Sequence, residues 1–325
     1  MEEQIFKQRT DLTALNNAVL AIRNEIKKII VGQDEMVKLI IAALLADGHV
    51  LIEGVPGVAK TLTAKLVAKS VNAGFSRIQF TPDLMPSDVL GTPVFNPREA
   101  SFEFKKGPVF SNIILVDEIN RAPAKTQSAL LEIMEERQAT VDGKTYPMAQ
   151  PFMVLATQNP VEQEGTYRLP EAQLDRFLFK ILVPYPTETE ELGILNQFNA
   201  MGNTKPLDMI TPALDAKQVA DLRIQIKAQL IEEKLLQFIA KLIHQTRNHK
   251  SIYLGASPRA SLSIMNASKA IAAMQGRDFV TPEDILAVVP PVLRHRIILS
   301  PDKEMEGITE DDVIRQILQG MDVPR

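Results

Sequence analysis

The chain contains no cysteine. Disulfides, thiolate-ligated metals and a cysteine nucleophile are therefore excluded, and a reducing compartment fits. No apolar stretch approaches the roughly 18 residues that a membrane span requires, so membrane insertion is not expected. The opening residues, MEEQIFKQRTDL, are charged and lack the apolar core of a signal peptide, which makes a cytoplasmic location the expectation. Positive charge is not in excess: 36 Lys and Arg stand against 40 Asp and Glu, a formal net charge of -4. That balance argues against strong non-specific nucleic-acid binding, which rests on neutralising phosphates. No internal repeat and no low-complexity tract interrupts the chain.

What the sequence does hold is alternation. A length of 325 residues suits two domains. Helical apolar spacing covers residues 12–30 and 33–47, with Gly48 as a stop. Strands and helices then follow in turn: HVLIE, a helix from Lys60, SRIQF, NIILV, a helix starting at Pro123, PFMVLAT, the short helix EAQLDRF, and FKILVPY. The unbroken apolar run Ile113 to Val116 predicts a strand covered on both faces, as in a parallel sheet, and the whole pattern predicts an α/β layered fold. Two insertions read as β-hairpins, at about residues 91–110 around NPRE and at about 138–149 around Asp142-Gly143. Past a connection between Ala200 and Thr211 the chain reads as all-helical, with Ser257-Pro258, Thr281-Pro282 and Thr309 as helix starts. The expected domains are residues 1–203, an α/β core, and 204–325, a smaller helical domain.

Between HVLIE and the helix from Lys60 lies a glycine-bearing loop. A P-loop has Gly, four residues, then Gly-Lys-Ser/Thr. Here Gly54, Lys60 and Thr61 are in register, but Ala59 stands where the pattern has glycine. Such a loop aims backbone N–H groups and a helix N-terminus at phosphate oxygens, the lysine reaches the outer phosphates, and the hydroxyl binds Mg²⁺. The candidate cradle is Gly54, Val55, Pro56, Gly57, Val58, Ala59, Lys60, Thr61 and Leu62. Ala59 is expected inside the helix with a negative φ, where a methyl group removes no donor. An ordinary strand-to-helix turn is the alternative.

Further polar residues follow apolar strands. Asp117-Glu118 ends NIILV at the carboxyl edge of the sheet, where ligands bind in open α/β folds. Asp117 there can enter an Mg²⁺ shell and Glu118 can polarise a water, although solvated acids at a strand end would read the same way. Asn159 follows MVLATQ at the same edge, able to orient water or a phosphate oxygen, or simply to open a turn with Pro160. Arg176, in EAQLDRF, could stabilise transition-state charge on a neighbouring subunit's phosphate, or pair with Asp175, or lie in solvent. Arg168 is a second candidate for that task. Arg259 places a cation in the first turn of a helix, the wrong end for the dipole, a conflict that a nearby anion such as phosphate would remove.

GVPGVAKT, IILVDE, ATQNP, LPEAQLDRF and GASPRA, in this order and spacing, resemble the MoxR family of AAA+ ATPases over about residues 30–282. Alanine before the lysine is common in that family. The resemblance implies a P-loop αβα domain with a parallel sheet, followed by an all-helical lid. It implies that Val31 and Gly32, in VGQ, lie beside adenine, that Lys60 is the Walker A lysine, and that Thr61 and Asp117 hold Mg²⁺. It makes Glu118 the base, Asn159 sensor 1, Arg176 the arginine finger in trans and Arg259 sensor 2, with ATP and Mg²⁺ as the small molecules bound. A hexameric ring is implied, acting as a chaperone-like factor on a protein client, often beside a von Willebrand factor A domain partner.

Three rival readings remain. One is an ATP-dependent scaffold with little turnover, against which the carboxylates, Asn159 and Arg176 weigh. Another is a nucleic-acid motor, since related AAA+ machines use similar hairpins on DNA and the first hairpin holds Arg98, Lys105 and Lys106; the acidic charge and the lack of a basic, aromatic-rich stripe weigh against it. The third, a small-molecule P-loop kinase, explains neither the helical lid nor the LDRF arginine. The hairpin aromatics Phe95, Phe102, Phe104 and Phe110 are expected mostly to pack onto their own domain.

Overall fold

In a computed structural model, residues 12–159, 167 and 169–324 are described. The chain divides into two compact units: residues 22–220, and Asp221 onward together with the described residues up to Ala21.

The first elements are α1 (Thr13–Lys27), α2 (Asp34–Leu45), β1 (Val50–Gly54), α3 (Lys60–Ser70), β2 (Phe75–Gln79) and α4 (Pro86–Leu90). The first insertion forms β3 (Gly91–Asn96) and β4 (Ser101–Lys106), followed by β5 (Ile113–Asp117) and α5 (Ala124–Glu136). The second forms β6 (Gln138–Val141) and β7 (Lys144–Pro147), and β8 (Met153–Gln158), α6 (Glu171–Leu174), β9 (Phe179–Val183) and α7 (Glu188–Met201) complete the unit. Five strands make a parallel sheet in the order β2-β5-β8-β1-β9. Every residue of Ile113–Val116 and Met153–Ala156 is fully buried, the two-sided cover that unbroken apolar runs require.

The base of the sheet is locked by His49, which enters β1. Its Nδ1 accepts from the Val154 N–H at 2.9 Å on β8, so Nε2 carries the proton and donates to the Met134 carbonyl on α5, at 3.0 Å. Its ring meets Phe152 edge-on, with centroids 5.6 Å apart. Arg137 covers the other side of Phe152 and donates to the carbonyls of Phe152 and Asp47, at 2.7 and 2.6 Å.

Both hairpins form antiparallel pairs. Asp142 and Gly143 both take positive φ, 50° and 76°, as a two-residue type I′ turn demands. Phe104 stacks on Tyr146 with centroids 4.4 Å apart, and Phe110 meets both rings. The two insertions are thus pinned to each other. Phe95 and Phe102 instead pair at 5.3 Å and remain 51% and 71% exposed, so the expected packing holds for only half of these aromatics.

The segment after α7 stays tied to this unit: Ala213 and Leu214 donate to the Ser70 carbonyl, and Thr211 N–H donates to Glu25. The second unit holds α8 (Ala216–Lys227, from Asp221 on), α9 (Glu233–Asn248), β10 (Ile252–Leu254), α10 (Pro258–Met274), α11 (Pro282–Leu293), β11 (Ile298–Leu299), α12 (Pro301–Met305) and α13 (Glu310–Gln319). Thr281 and Thr309 form capping boxes with Asp284 and Asp312. Ser257 occupies the N-cap position of α10 but its hydroxyl makes no capping bond. The unit is helical, with one addition: β10 and β11 pair antiparallel. Strands of three and two residues are too short for alternation to register in sequence. Among the described residues no helix is long and apolar enough to cross a membrane.

Replacing His49 with alanine strands the Val154 N–H and the Met134 carbonyl. A loss of about 2–4 kcal/mol is expected in urea denaturation, against a change within about 0.5 kcal/mol for Phe102→Ser on the exposed hairpin. Equal effects of the two substitutions would contradict the interlock.

Candidate active site at the carboxyl edge of the sheet

Three adjacent parallel strands end side by side. β1 ends in Gly54 and opens the loop, β8 is followed by Asn159, and β5 ends in Asp117 and is followed by Glu118. The structure therefore brings the loop, both acids and Asn159 to one sheet edge.

Gly54 is needed for space: an added Cβ would lie 2.6 Å from the Val183 carbonyl oxygen on β9. Gly57 is needed for conformation, with φ +88° and open space around it. Ala59 departs from expectation. It is not yet helical but caps α3 in the left-handed region, at φ 58° and ψ 19°. A bend there lets the helix start at Lys60, and it is why the P-loop pattern has glycine at this position. The alanine accepts the strain, about 1–2 kcal/mol, while its carbonyl still receives the Thr63 N–H and hydroxyl.

Lys60 Nζ donates to the Gly54 carbonyl at 2.6 Å, bridging the loop. Burial pushes the ammonium below the usual lysine range, against the pull of Asp117, Glu118 and Glu53. Asp117 is only 7% exposed. Thr157 donates to its Oδ1 at 3.1 Å and Arg77 Nε to its Oδ2 at 2.6 Å. Glu118 sits in a left-handed conformation, φ 56°, with its N–H on the Thr157 hydroxyl at 3.0 Å. Its Oε2 receives Gln79 Nε2 at 2.7 Å and Arg121 at 3.0 Å. Arg77, Gln79, Thr157 and Arg121 were not singled out from sequence. Arg77 and Gln79 alternate around buried Ile78 on β2, so period two puts them on one face, beside Leu115 and Asp117 in register.

Beside the loop lies an apolar cleft of about 300 Å³. Gly57, Val58, Ala59 and Leu62 form one side, and Ile29, Ile30, Val31 and Gln33 another. Pro186, Ile194 and Phe198 close it. Val31 lines this cleft, with Gly32 next to it in sequence, whereas the last three residues come from α7 and its approach, which carries no motif.

Arg176 follows α6. It pairs not with Asp175 but with Glu135 on α5, at 3.0 Å, and donates to the Leu131 carbonyl at 2.5 Å. Arg259 lies exposed in the first turn of α10, in the second unit, with no acidic residue in that turn. Arg168 lies outside the described residues.

Residues 49–179 match the family described as "ATPase family associated with various cellular activities (AAA)", and residues 244–317 match the AAA lid domain. The chain is 46% identical over 316 residues to Chaperone MoxR1 of Mycobacterium tuberculosis, covering 93% of this chain and 81% of that protein. It is equally identical, at 46%, to the uncharacterized protein YeaC of Bacillus subtilis, over 92% of each. A crystal structure from Cytophaga hutchinsonii, assigned provisionally as an ATPase, shares 43% identity with a TM-score of 0.86, covering 97% of this chain and 99% of the other.

The left-handed Ala59 sets a stability test. Ala59→Val should cost about 1–2 kcal/mol in thermal or chemical denaturation, since a β-branched side chain is strained there, while Ala59→Gly should cost nothing. A valine variant as stable as its parent would show that the loop does not bend at this residue.

Proposed function

Since the chain belongs to the MoxR family of AAA+ ATPases, we propose that it hydrolyses ATP with Mg²⁺ and uses the turnover to remodel or mature a protein complex. The observation that carries this reading is the loop from Gly54 to Thr61 standing one strand away from Asp117 and Glu118.

The adenine ring occupies the apolar cleft beside Val31 and Gly32, and the triphosphate lies along the loop toward the helix N-terminus at Lys60. Lys60 leaves the Gly54 carbonyl for the outer phosphates. The donors beside the loop, a Thr61 hydroxyl and the Asp117 carboxylate, are hard oxygens that suit Mg²⁺, whose remaining shell comes from phosphate and water. Among the described residues no group of three or more His, Cys, Asp or Glu forms an all-protein metal cage, which agrees with that division. Bound there, Mg²⁺ offsets charge on the phosphates. Glu118 takes the proton of the attacking water, and Asn159 orients that water or the terminal phosphate.

Glu118 starts in the grip of Gln79 and Arg121, and Arg176 in that of Glu135. Both must be released for turnover, so an isolated chain is expected to be slow. In a ring, which we take to be hexameric, Arg176 reaches the neighbouring subunit's phosphate and Arg259 acts from the lid that follows the 200–211 connection. The name Chaperone MoxR1 supports a chaperone-like role. The client is a protein complex in the cytoplasm, with a von Willebrand factor A domain protein as a candidate partner and nucleic acid disfavoured by the acidic balance.

Glu118→Gln should lower steady-state phosphate release by about 10²-fold or more while ATP still binds. An unchanged rate would remove Glu118 from the role of base. Arg176→Ala should also be slow, and mixing it with Glu118→Gln should restore part of the activity, because mixed rings pair an intact glutamate with an intact arginine. Absence of rescue at every ratio would contradict action across subunits.

A further inference from the structure

Asp117 closes a strand whose preceding four residues are fully buried, and it is itself 7% exposed. A carboxylate in that position needs a cation or a full set of hydrogen bonds. Lys60 interacts with Asp117 through charge but supplies no hydrogen bond to it, because its ammonium is on the Gly54 carbonyl at 2.6 Å. Thr157 supplies one neutral donor at 3.1 Å, to Oδ1. The charge is met by Arg77, whose Nε lies 2.6 Å from Oδ2.

Two features separate this pair from an ordinary surface ion pair. The carboxylate side is buried, while the guanidinium side chain is half-exposed, 51% against 11%. Arg77 can therefore move into solvent at little cost, whereas Asp117 cannot be left alone. Arg77 also comes from β2, the neighbouring strand, with its second arm only loosely held, 3.2 Å from the Gln79 side-chain oxygen. A divalent cation sharing Oδ2 would meet a guanidinium already there, and two cations at that separation repel.

We propose that Arg77 is an internal counter-cation that occupies Asp117 in the nucleotide-free chain and competes with divalent metal for that carboxylate. This rests on the reading of Asp117 as part of the Mg²⁺ shell. Arg77 is a positioning residue: it holds Asp117 aimed while no metal is present, and it sets the metal concentration at which the site fills.

The test follows binding rather than turnover, with Mn²⁺ as a paramagnetic probe for Mg²⁺ and a non-hydrolysable ATP analogue on the full chain. Free Mn²⁺ is read by electron paramagnetic resonance. Arg77→Gln should bind Mn²⁺ roughly fivefold more tightly than the parent, the size expected when one partly exposed charge pair is removed. Its metal-free melting temperature should fall, and metal with nucleotide should raise it by more than in the parent. Arg77→Lys, which keeps the charge, should lie nearer the parent. Arg77→Met, which keeps the apolar stem, gives the same reading if the glutamine variant fails to fold. Mn²⁺ affinity equal to or weaker than the parent's in both neutral variants would overturn the competition. Asp117→Asn serves as the separate control: parental Mn²⁺ affinity there would overturn the premise that Asp117 belongs to the metal shell, whatever Arg77 does.

Discussion

Parallel pairing of β1, β8 and β5 is the constraint from which the rest follows. Because the three strands run in one direction and in register, their carboxyl ends arrive together. The loop, Asn159 and the Asp117-Glu118 pair are thereby neighbours although Gly54 and Asn159 lie 105 positions apart. The price in backbone freedom falls at the edge itself: Gly57, Ala59 and Glu118 all take left-handed conformations within that small region. Strain gathered where strands turn into loops is characteristic of sites that must present backbone groups to a ligand. At the opposite end, His49 and Arg137 fasten β1 and β8 to α5 through side-chain hydrogen bonds.

Charge at this edge is balanced inside the chain. Asp117 meets Arg77 and Thr157, and Glu118 meets Gln79 and Arg121, while Arg176 meets Glu135 at the opposite end, beside the amino ends of β1 and β9. Lys60 is held by a neutral carbonyl, and burial weakens its hold on its proton. In the proposed function, binding a polyanion there would exchange internal pairs for external ones and so link occupancy of the site to release of Glu118. The aromatic contact of Phe104 with Tyr146 joins the two hairpins, and α5, which carries Glu135, runs directly toward β6. The arginine that pairs with Glu135 thus has a short covalent route to the second insertion and, through that ring contact, a packing route to the first.

Much of this was legible in the sequence, for identifiable reasons. Buried parallel strands leave long apolar runs, and the residues just after such runs are the edge residues, so Asp117, Glu118 and Asn159 could be found by position. Asp142-Gly143 and the Thr281 and Thr309 caps have local chemistry that fixes local geometry. What stayed hidden was set by tertiary contact. Arg77 and Gln79 carry only the period-two alternation of a strand, and nothing local marks them as partners of Asp117 and Glu118. Phe198 and Ile194 belong to a helix with no buried residue of its own, and their place in the cleft depends on where α7 lies against the loop. Ala59 was misread because pattern position, not helix propensity, decides its φ.

The central claim is that this edge grips a triphosphate through Lys60. Calorimetric titration of ATP with Mg²⁺ into the parent and Lys60→Ala chains tests it most directly. The account requires one nucleotide per parent chain and a loss of affinity of at least about tenfold when the ammonium is removed. Equal affinity in the two chains would contradict it.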